Sequence, residues 1–159
     1  MSAVSLTPVT QAMLHAYYRD FQRDPAIFMD PSACEPYVYA PEKVDACFER
    51  LRARDDRVDF MILLDGAPVG EIALKRIDRD AGTCELSVHL QRDAVKNRGV
   101  GTRAERLAVR YAFGTLRLRA VLADAVLANA RSRHVLEKVG FTQTGEKDGF
   151  ALYRLERPE

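Results

Sequence analysis

A short basic loop with two glycines is the segment of this sequence best suited to bind an anion. The residues "KNRGVGT", from Lys96 to Thr102, come directly before a stretch with helical periodicity. In such a loop the backbone N–H groups face a common ligand, glycine lets that ligand approach, and the helix dipole favours negative charge. Lys96 and Arg98 add positive charge. The segment therefore predicts a phosphate-binding loop; the alternative is a glycine-rich helix start that binds no ligand.

Two other phosphate-binding motifs do not fit the surroundings of these glycines. "GVGTRA" matches the G-x-G-x-x-A dinucleotide fingerprint, and Asp124 follows Ala104 by 20 residues, where an acidic ribose partner would lie. However, the polar run "RDAVKN" separates the glycines from the preceding strand, and only 58 residues remain after Gly101. That length is too short for a dinucleotide-binding fold. A P-loop is excluded because no Gly-Lys-Ser/Thr sequence is present.

The elements that position this loop can be predicted from periodicity and turn signals. Alternating apolar residues predict strands, and Asp65-Gly66 between two apolar runs predicts a hairpin. Thr10, Pro41 and Asn129 are suited to helix N-termini, and Gly140 is suited to a helix C-terminus. The predicted order is α-α-β-β-β-α-β-α-β-β, with room for a further N-terminal strand. It implies an α/β (α+β) fold with a mixed sheet and helices on both faces.

The composition is that of one globular domain over residues 1–159. Hydrophobic residues make up 47% of the chain, and no apolar run approaches the roughly 20 residues of a membrane span. The N-terminus has no signal-peptide pattern, so we expect a cytoplasmic protein without a membrane partner. The net charge of +1 gives no support to nucleic-acid binding. Residues 81–159 contain 14 Lys/Arg against 9 Asp/Glu, a basic half that suits a polyanionic ligand.

Three cysteines lie far apart in the sequence, at Cys34, Cys47 and Cys84. An odd number at this spacing, without a C-x-x-C pair, argues against a disulfide framework or a zinc site. We expect free thiols in a reducing compartment and no bound metal.

Two segments together resemble the GNAT superfamily of N-acetyltransferases. "KNRGVG" resembles the Gln/Arg-x-x-Gly-x-Gly/Ala loop with which that superfamily binds the pyrophosphate of acetyl-coenzyme A. "NARSRHVLEKVGF", from Asn129 to Phe141, resembles its second motif; the Asn-x-x-Ser and Glu-Lys-x-Gly-Phe patterns are similar to the Rim-type branch, whose founding members acetylate ribosomal proteins. The resemblance covers about Phe60 to Arg154. It implies a mostly antiparallel central sheet that splays open, with acetyl-CoA as co-substrate.

The resemblance also implies which residues bind the cofactor. The strand before the glycine loop would hold the pantetheine and the thioester through its backbone, and the loop would hold the pyrophosphate through its amides. Lys96 departs from the family pattern, since lysine keeps the charge but not the planar head of arginine or glutamine. The implied cofactor-binding residues are His89, Leu90, Gln91, Lys96, Asn97, Arg98, Gly99, Val100, Gly101, Thr102, Asn129 and Ser132.

Acetyl transfer to an amine needs a proton acceptor and a proton donor. Glu85, eleven residues before Lys96, resembles the strand glutamate that acts as base in some GNAT members; alternatively it orders the strand or binds a substrate cation. His89, on the same strand face, is a second candidate for base or proton relay. Leu136 replaces the tyrosine that donates a proton in many relatives, so Tyr153 becomes a candidate donor, with core packing as the alternative.

The acceptor site is predicted between the loop that joins the first two helices and the final hairpin. The acceptor would be a primary amine, either a protein N-terminus or a small molecule such as a polyamine or an aminoglycoside. A non-catalytic acyl-CoA-binding sensor is the alternative function, and the chain could act as a monomer or a homodimer. The candidate acceptor-binding residues are Phe28, Asp30, Tyr37 and Tyr39.

Overall fold

The helices and strands, taken from a computed structural model that describes residues 3–159, follow the predicted order after one additional N-terminal strand. Short 3₁₀ helices lie at Pro25–Ile27, Pro31–Ala33 and Asp93–Val95. The main elements are β1 (Val4–Pro8), α1 (Gln11–Arg19), α2 (Pro41–Ala53), β2 (Val58–Leu64), β3 (Ala67–Asp78), β4 (Thr83–Leu90), α3 (Val100–Gly114), β5 (Ala120–Val126), α4 (Ala130–Val139), β6 (Thr142–Lys147) and β7 (Phe150–Glu156).

The seven strands form one sheet in the order β1-β2-β3-β4-β5-β7-β6. All neighbours are antiparallel except β4 and β5, which are parallel and paired only from Thr83–Ala120 to Glu85–Leu122. Beyond Glu85 the two strands separate, while β4 stays paired with β3 as far as Leu90. The predicted mixed, mostly antiparallel and splayed sheet is therefore confirmed.

Helices cover both faces of the sheet because the strands bury apolar side chains on both. The larger core lies under α3 and α4 and includes Leu74, Ala108 and Leu136. The smaller core lies under α1 and α2 and includes Leu14 and Tyr17, both with 0% exposure. Burying a large apolar side chain completely contributes roughly 1.5–3 kcal/mol, so the two cores hold the sheet from both sides.

Local signals act at the element ends as predicted. Asp65 and Gly66 turn the β2–β3 hairpin with φ of 51° and 87°, the left-handed conformation that this turn requires. Thr10 caps α1, and Gly140 ends α4 with φ of 119° while Phe141 N–H donates to Leu136 O. Among the described residues, no helix combines the length and hydropathy that crossing a bilayer needs.

Candidate functional site

Two adjacent cavities, together called the groove below, lie beside the glycine loop and at the opening between β4 and β5. The groove consists of a first cavity of about 400 Å³ beside the glycine loop and a second of about 630 Å³ between the diverging strands. The two cavities are adjacent, since they share part of their walls. The shared wall residues are Ile27, Val88, His89, Glu105, Asn129 and Ser132.

The glycine loop presents unoccupied backbone donors at one end of this groove. Lys96 N–H donates to Asp93 O, and Arg103 N–H donates to Gly99 O. Between them, the N–H groups of residues 97–102 have no acceptor within residues 3–159. Gly99 is left-handed at φ 74° and caps the 15-residue α3, whose dipole adds positive potential, and Gly101 lines the first cavity. The loop has the geometry of an anion site.

The Lys96 side chain, predicted to add charge at the loop, is paired with carboxylates of the protein itself. It is 5% exposed, and its Nζ lies 3.0 Å from a carboxylate oxygen of both Asp24 and Asp93. Burial raises the pKa of Asp24, but the Ala26 N–H and the Lys96 ammonium outweigh it and hold that pKa below its usual value. The lysine charge is therefore compensated inside the protein. Its observed role is to fasten the glycine loop to the segment after α1.

Gln91 was predicted to bind the cofactor through its backbone, but its N–H, its carbonyl and its side-chain amide are all hydrogen-bonded within the protein. Its N–H donates to Val69 O at 2.7 Å, and its carbonyl accepts from Gln22 N–H at 2.7 Å. Its side chain donates to Tyr17 O at 2.8 Å. Gln91 thus joins β3, β4 and α1, and its backbone is not free to bind a cofactor. His89 and Leu90, its predicted companions, do line the first cavity.

The predicted catalytic pair lies along the second cavity. Glu85 is the last β4 residue paired with β5, and its Oε2 forms an ion pair with Arg76 Nη1 at 3.0 Å. Arg76 sits at an irregularity in β3 with φ of 49°. Tyr153 is 1% exposed, and its hydroxyl accepts a hydrogen bond from Arg133 Nε at 3.0 Å. The Tyr153 O–H itself remains able to donate toward the cavity.

Asn129 and Ser132 meet at the start of α4, where the two cavities join. Asn129 Oδ1 accepts from Ser132 N–H at 3.2 Å and caps the helix, as predicted. Both residues line both cavities. Leu136, one turn further along α4, is 3% exposed and lines only the second cavity.

Two of the four predicted acceptor residues line the groove. Phe28 and Tyr37 line the first cavity. Asp30 is exposed and accepts from Ser32 N–H and Oγ as the cap of a 3₁₀ helix. Tyr39 bonds to His15 Nδ1 at 2.6 Å and packs on the smaller core. Neither Asp30 nor Tyr39 lines the groove, because local capping and core packing hold them elsewhere.

Sequence reasoning missed a buried hydrogen-bond network around Glu71. Glu71 Oε2 lies 2.8 Å from His89 Nε2 and accepts from the Tyr18 hydroxyl at 2.7 Å. The Tyr17 hydroxyl lies 2.7 Å from His89 Nδ1. Burial would raise the pKa of Glu71, but the His89 hydrogen bond and charge and the Tyr18 hydroxyl outweigh it and keep the pKa below its usual value. Only the β3–β4 register, which pairs Glu71 with His89, creates this contact.

Glu105 of α3 was missed as well, although the sequence did contain a signal for it. It is 2% exposed, lines both cavities, and its Oε1 has no hydrogen-bond partner among the described residues. Burial raises the pKa of this carboxyl to about 8. Glu105 follows Gly101 by four residues and precedes Ala108 by three, a spacing that places it on the inward face of the helix.

Comparison with known proteins identifies relatives of this chain. The family described as "Acetyltransferase (GNAT) domain" matches residues 4–142. The chain is 29% identical over 121 residues to the "Putative ribosomal N-acetyltransferase YdaF" of Bacillus subtilis, covering 76% of this chain and 64% of that protein. It is 27% identical over 112 residues to "Spermidine N(1)-acetyltransferase" of Escherichia coli, covering 70% of this chain and 59% of that protein. The aligned part of this chain thus spans about three-fifths of the length of these relatives.

A solved structure with the same fold covers nearly the whole chain. "Mycobacterium smegmatis RimJ in complex with CoA-disulfide" superposes with a TM-score of 0.79 at 22% identity. The match covers 96% of this chain and 81% of that one. At this level of identity the likeness establishes the fold.

Proposed function

This chain belongs to the GNAT acetyltransferase family, and from that premise we propose that it transfers the acetyl group of acetyl-coenzyme A directly to a primary amine. The observation that carries the proposal is the groove, which joins an anion site of free loop amides to the opening between β4 and β5. A CoA thioester is a long ligand with a pyrophosphate at one end and a reactive carbonyl at the other, which suits such a groove.

The proposed cofactor position uses three parts of the chain. The amides of residues 97–102 would bind the pyrophosphate. The edge of β4 from Leu86 to Leu90, which has no strand partner on the β5 side, would hold the pantetheine arm. Asn129 and Ser132, where the two cavities join, would contact the arm from α4.

Replacing Gly101 with valine tests this position. A Cβ on Gly101 has no heavy atom within 4 Å, so the fold should persist while the added methyl groups enter the first cavity. We expect the affinity for acetyl-CoA, measured by calorimetry, to fall at least about tenfold, or ~1.4 kcal/mol. Gly114→Val is the matched control, since Gly114 also has open space at its Cβ but lies at the far end of α3. Equal affinities in the two variants would contradict the proposed position.

The proposed chemistry requires one base and one acid. The neutral amine nitrogen attacks the thioester carbonyl carbon, the carbon–sulfur bond breaks, the amine gives up a proton, and the sulfur receives one. We assign proton acceptance to Glu85, through a water molecule, and proton donation to Tyr153. Both side chains line the second cavity. The Arg133 hydrogen bond leaves the Tyr153 hydroxyl proton free to move.

Glu85→Gln tests the base and should lower kcat/KM about a hundredfold, since general-base catalysis contributes roughly 10²–10⁴. Ser87→Ala, on the same strand face and in the same cavity wall, is the matched control and should stay near wild type. If Glu85→Gln keeps full kcat/KM from about pH 6 to about pH 9, Glu85 is not the base.

The charges at the second cavity favour a protein N-terminus as the acceptor. Its wall carries two cations, Lys75 and Arg76, and two carboxylates, Glu85 and Asp124. Glu105 also lines it, but burial raises the pKa of that carboxyl to about 8, so it adds no negative charge at neutral pH. Arg76 already pairs with Glu85, so the wall has no excess of negative charge for a polyamine with several ammonium groups. A polypeptide N-terminus presents a single α-amino group, which does not need an excess of negative charge in the wall. A polyamine is the second candidate because one relative is named a spermidine N(1)-acetyltransferase.

Thiol release from acetyl-CoA in the presence of an amine panel tests the proposed function. The panel should contain short peptides, spermidine and an aminoglycoside at equal concentrations. We expect release with peptides that have a free α-amino group and none with the same peptides blocked at that group. Release with spermidine alone would overturn the acceptor assignment. Acetyl-CoA binding without release for any amine would show a non-catalytic acyl-CoA sensor.

A further inference from the structure

Glu105 has a buried carboxyl oxygen that the protein itself does not satisfy. Its Oε1 is the single buried side-chain nitrogen or oxygen without a hydrogen-bond partner among residues 3–159. The residue is 2% exposed, so solvent does not compensate. Leaving a buried polar group unpaired costs roughly 1–3 kcal/mol, and such violations are expected at functional sites.

The position of Glu105 explains where a partner would come from. It lies one turn into α3, four residues after Gly101, and it lines both cavities of the groove. Val88 and His89 of β4 and Asn129 of α4 lie in the same shared wall. A ligand that enters at the glycine loop and ends between β4 and β5 must pass this carboxyl.

We propose that the Glu105 carboxyl binds the pantetheine arm of coenzyme A by donating a hydrogen bond to one of its amide carbonyls. The inference rests on the proposed function, because it takes acetyl-CoA to be the ligand of the groove. The arm carries two amide groups, and an amide carbonyl needs a donor when it leaves water. A carboxyl that is already desolvated can supply this bond without losing further hydration.

The protonation state of Glu105 agrees with a donor role. Because burial raises its pKa to about 8, the group carries its proton at neutral pH and has an O–H to donate. Above that pKa the carboxylate would face the carbonyl oxygen with negative charge. The affinity for CoA should therefore decrease as the pH rises through about 8.

Other titratable groups line the same groove and must be separated from Glu105. In the first cavity they are Tyr18, Arg23, Asp24, Tyr37, His89, Lys96 and Arg131, and in the second Lys75, Arg76, Glu85, Asp124 and Tyr153. Glu105→Gln keeps all of them and removes only the titration of Glu105. A pH series on this variant therefore measures what the other groups contribute.

The test compares two variants and two ligands by calorimetry. Glu105→Gln retains an N–H donor, so its CoA affinity at pH 7 should stay within about threefold of wild type and lose its decrease near pH 8. Glu105→Leu has no donor, and its CoA affinity should fall at least about tenfold. The second ligand is the nucleotide half of CoA, which has the pyrophosphate but no pantetheine arm; its affinity should be equal in all three proteins.

The outcomes separate this inference from the proposed function. If the Leu variant binds CoA as tightly as wild type, or the Gln variant binds as weakly as Leu, the inference is overturned. A wild-type affinity that does not change between about pH 6 and about pH 9 would also overturn it. If wild type binds neither CoA nor its nucleotide half, the proposed function itself fails. Thermal unfolding without ligand confirms that each variant is folded.

Discussion

Glu71→Ala should lower the free energy of unfolding by about 3 kcal/mol at neutral pH, because two hydrogen bonds to a carboxylate are lost and each contributes roughly 1.5–3 kcal/mol. The Glu71 carboxylate is 17% exposed and accepts from Tyr18 and from His89 Nε2 at 2.7 and 2.8 Å. Without it, Tyr18 and His89 lose the acceptor they share at the junction of α1, β3 and β4. Urea unfolding followed by circular dichroism measures the effect.

A matched control separates this burial effect from simple loss of a glutamate. Glu49→Ala removes a carboxylate that pairs with Arg52 and is 67% exposed. Its free energy of unfolding should therefore stay within about 0.5 kcal/mol of wild type. Glu71→Gln should fall between the two, because the amide can still accept from Tyr18 but carries no charge. Equal losses for Glu71→Ala and Glu49→Ala would show that the network does not stabilise the fold.

The Glu71 contribution also has a defined pH dependence. Because the pKa of Glu71 in the folded protein is held below its usual value of 4.5, its stabilisation is present above that value. It is lost as the pH falls from 4.5 through the lower folded-state pKa. The stability difference between wild type and Glu71→Gln should therefore shrink on acidification below about pH 4.5 and stay constant at neutral pH.

Glu105→Leu should have the opposite effect and raise the free energy of unfolding by about 3 kcal/mol at pH 7. The pKa of this carboxyl rises from its usual value of 4.5 to about 8 on folding, because burial disfavours the charged form. Between these two pKa values Glu105 ionises in the unfolded chain but keeps its proton in the folded protein. Ionisation lowers the free energy of the unfolded chain, so the folded protein is destabilised. Leucine avoids this cost and is a good helix former of similar size.

The pH dependence of this second effect distinguishes it from better packing. Relative to the Leu variant, the free energy of unfolding of wild type should decrease by about 1.4 kcal/mol per pH unit between about pH 4.5 and about pH 8. Above about pH 8 the difference between the two proteins should stay constant. A constant difference across this range would mean that the gain comes from packing alone. Glu137→Leu, at an exposed position on α4, is the matched control for replacing a glutamate by leucine.

The two glutamates show how differently the same residue type can be used in one protein. Glu71 is buried with partners, so removing it should destabilise the fold. Glu105 is buried, and its Oε1 has no hydrogen-bond partner among the described residues. Removing this side chain should therefore stabilise the fold and weaken CoA binding. A gain in stability together with a loss of affinity is expected when a residue is kept for its function.

The sequence alone was sufficient for the order of elements and for the position of the glycine loop at the start of α3. The periodicity of α3, the Asp65-Gly66 turn and the Asn129 and Gly140 caps depend on residues within a few positions of each other. The glycine loop is a local feature too, because the first N–H groups of any helix have no acceptor within that helix. Such local signals can be recognised without knowledge of the remaining chain.

The tertiary structure decided which side chains in this region are available to a ligand. Lys96 is neutralised by Asp24, 72 residues earlier, and Gln91 is bonded to Val69 and to Gln22. Glu71 meets His89 only through the register of two strands. Each of these contacts joins segments that are distant in sequence, and the partner of a charged or amide group sets both its pKa and its freedom to bind. A local pattern contains the residue types but not those partners, and for this reason the sequence could predict the glycine loop but not the contacts that Lys96, Gln91 and Glu71 make.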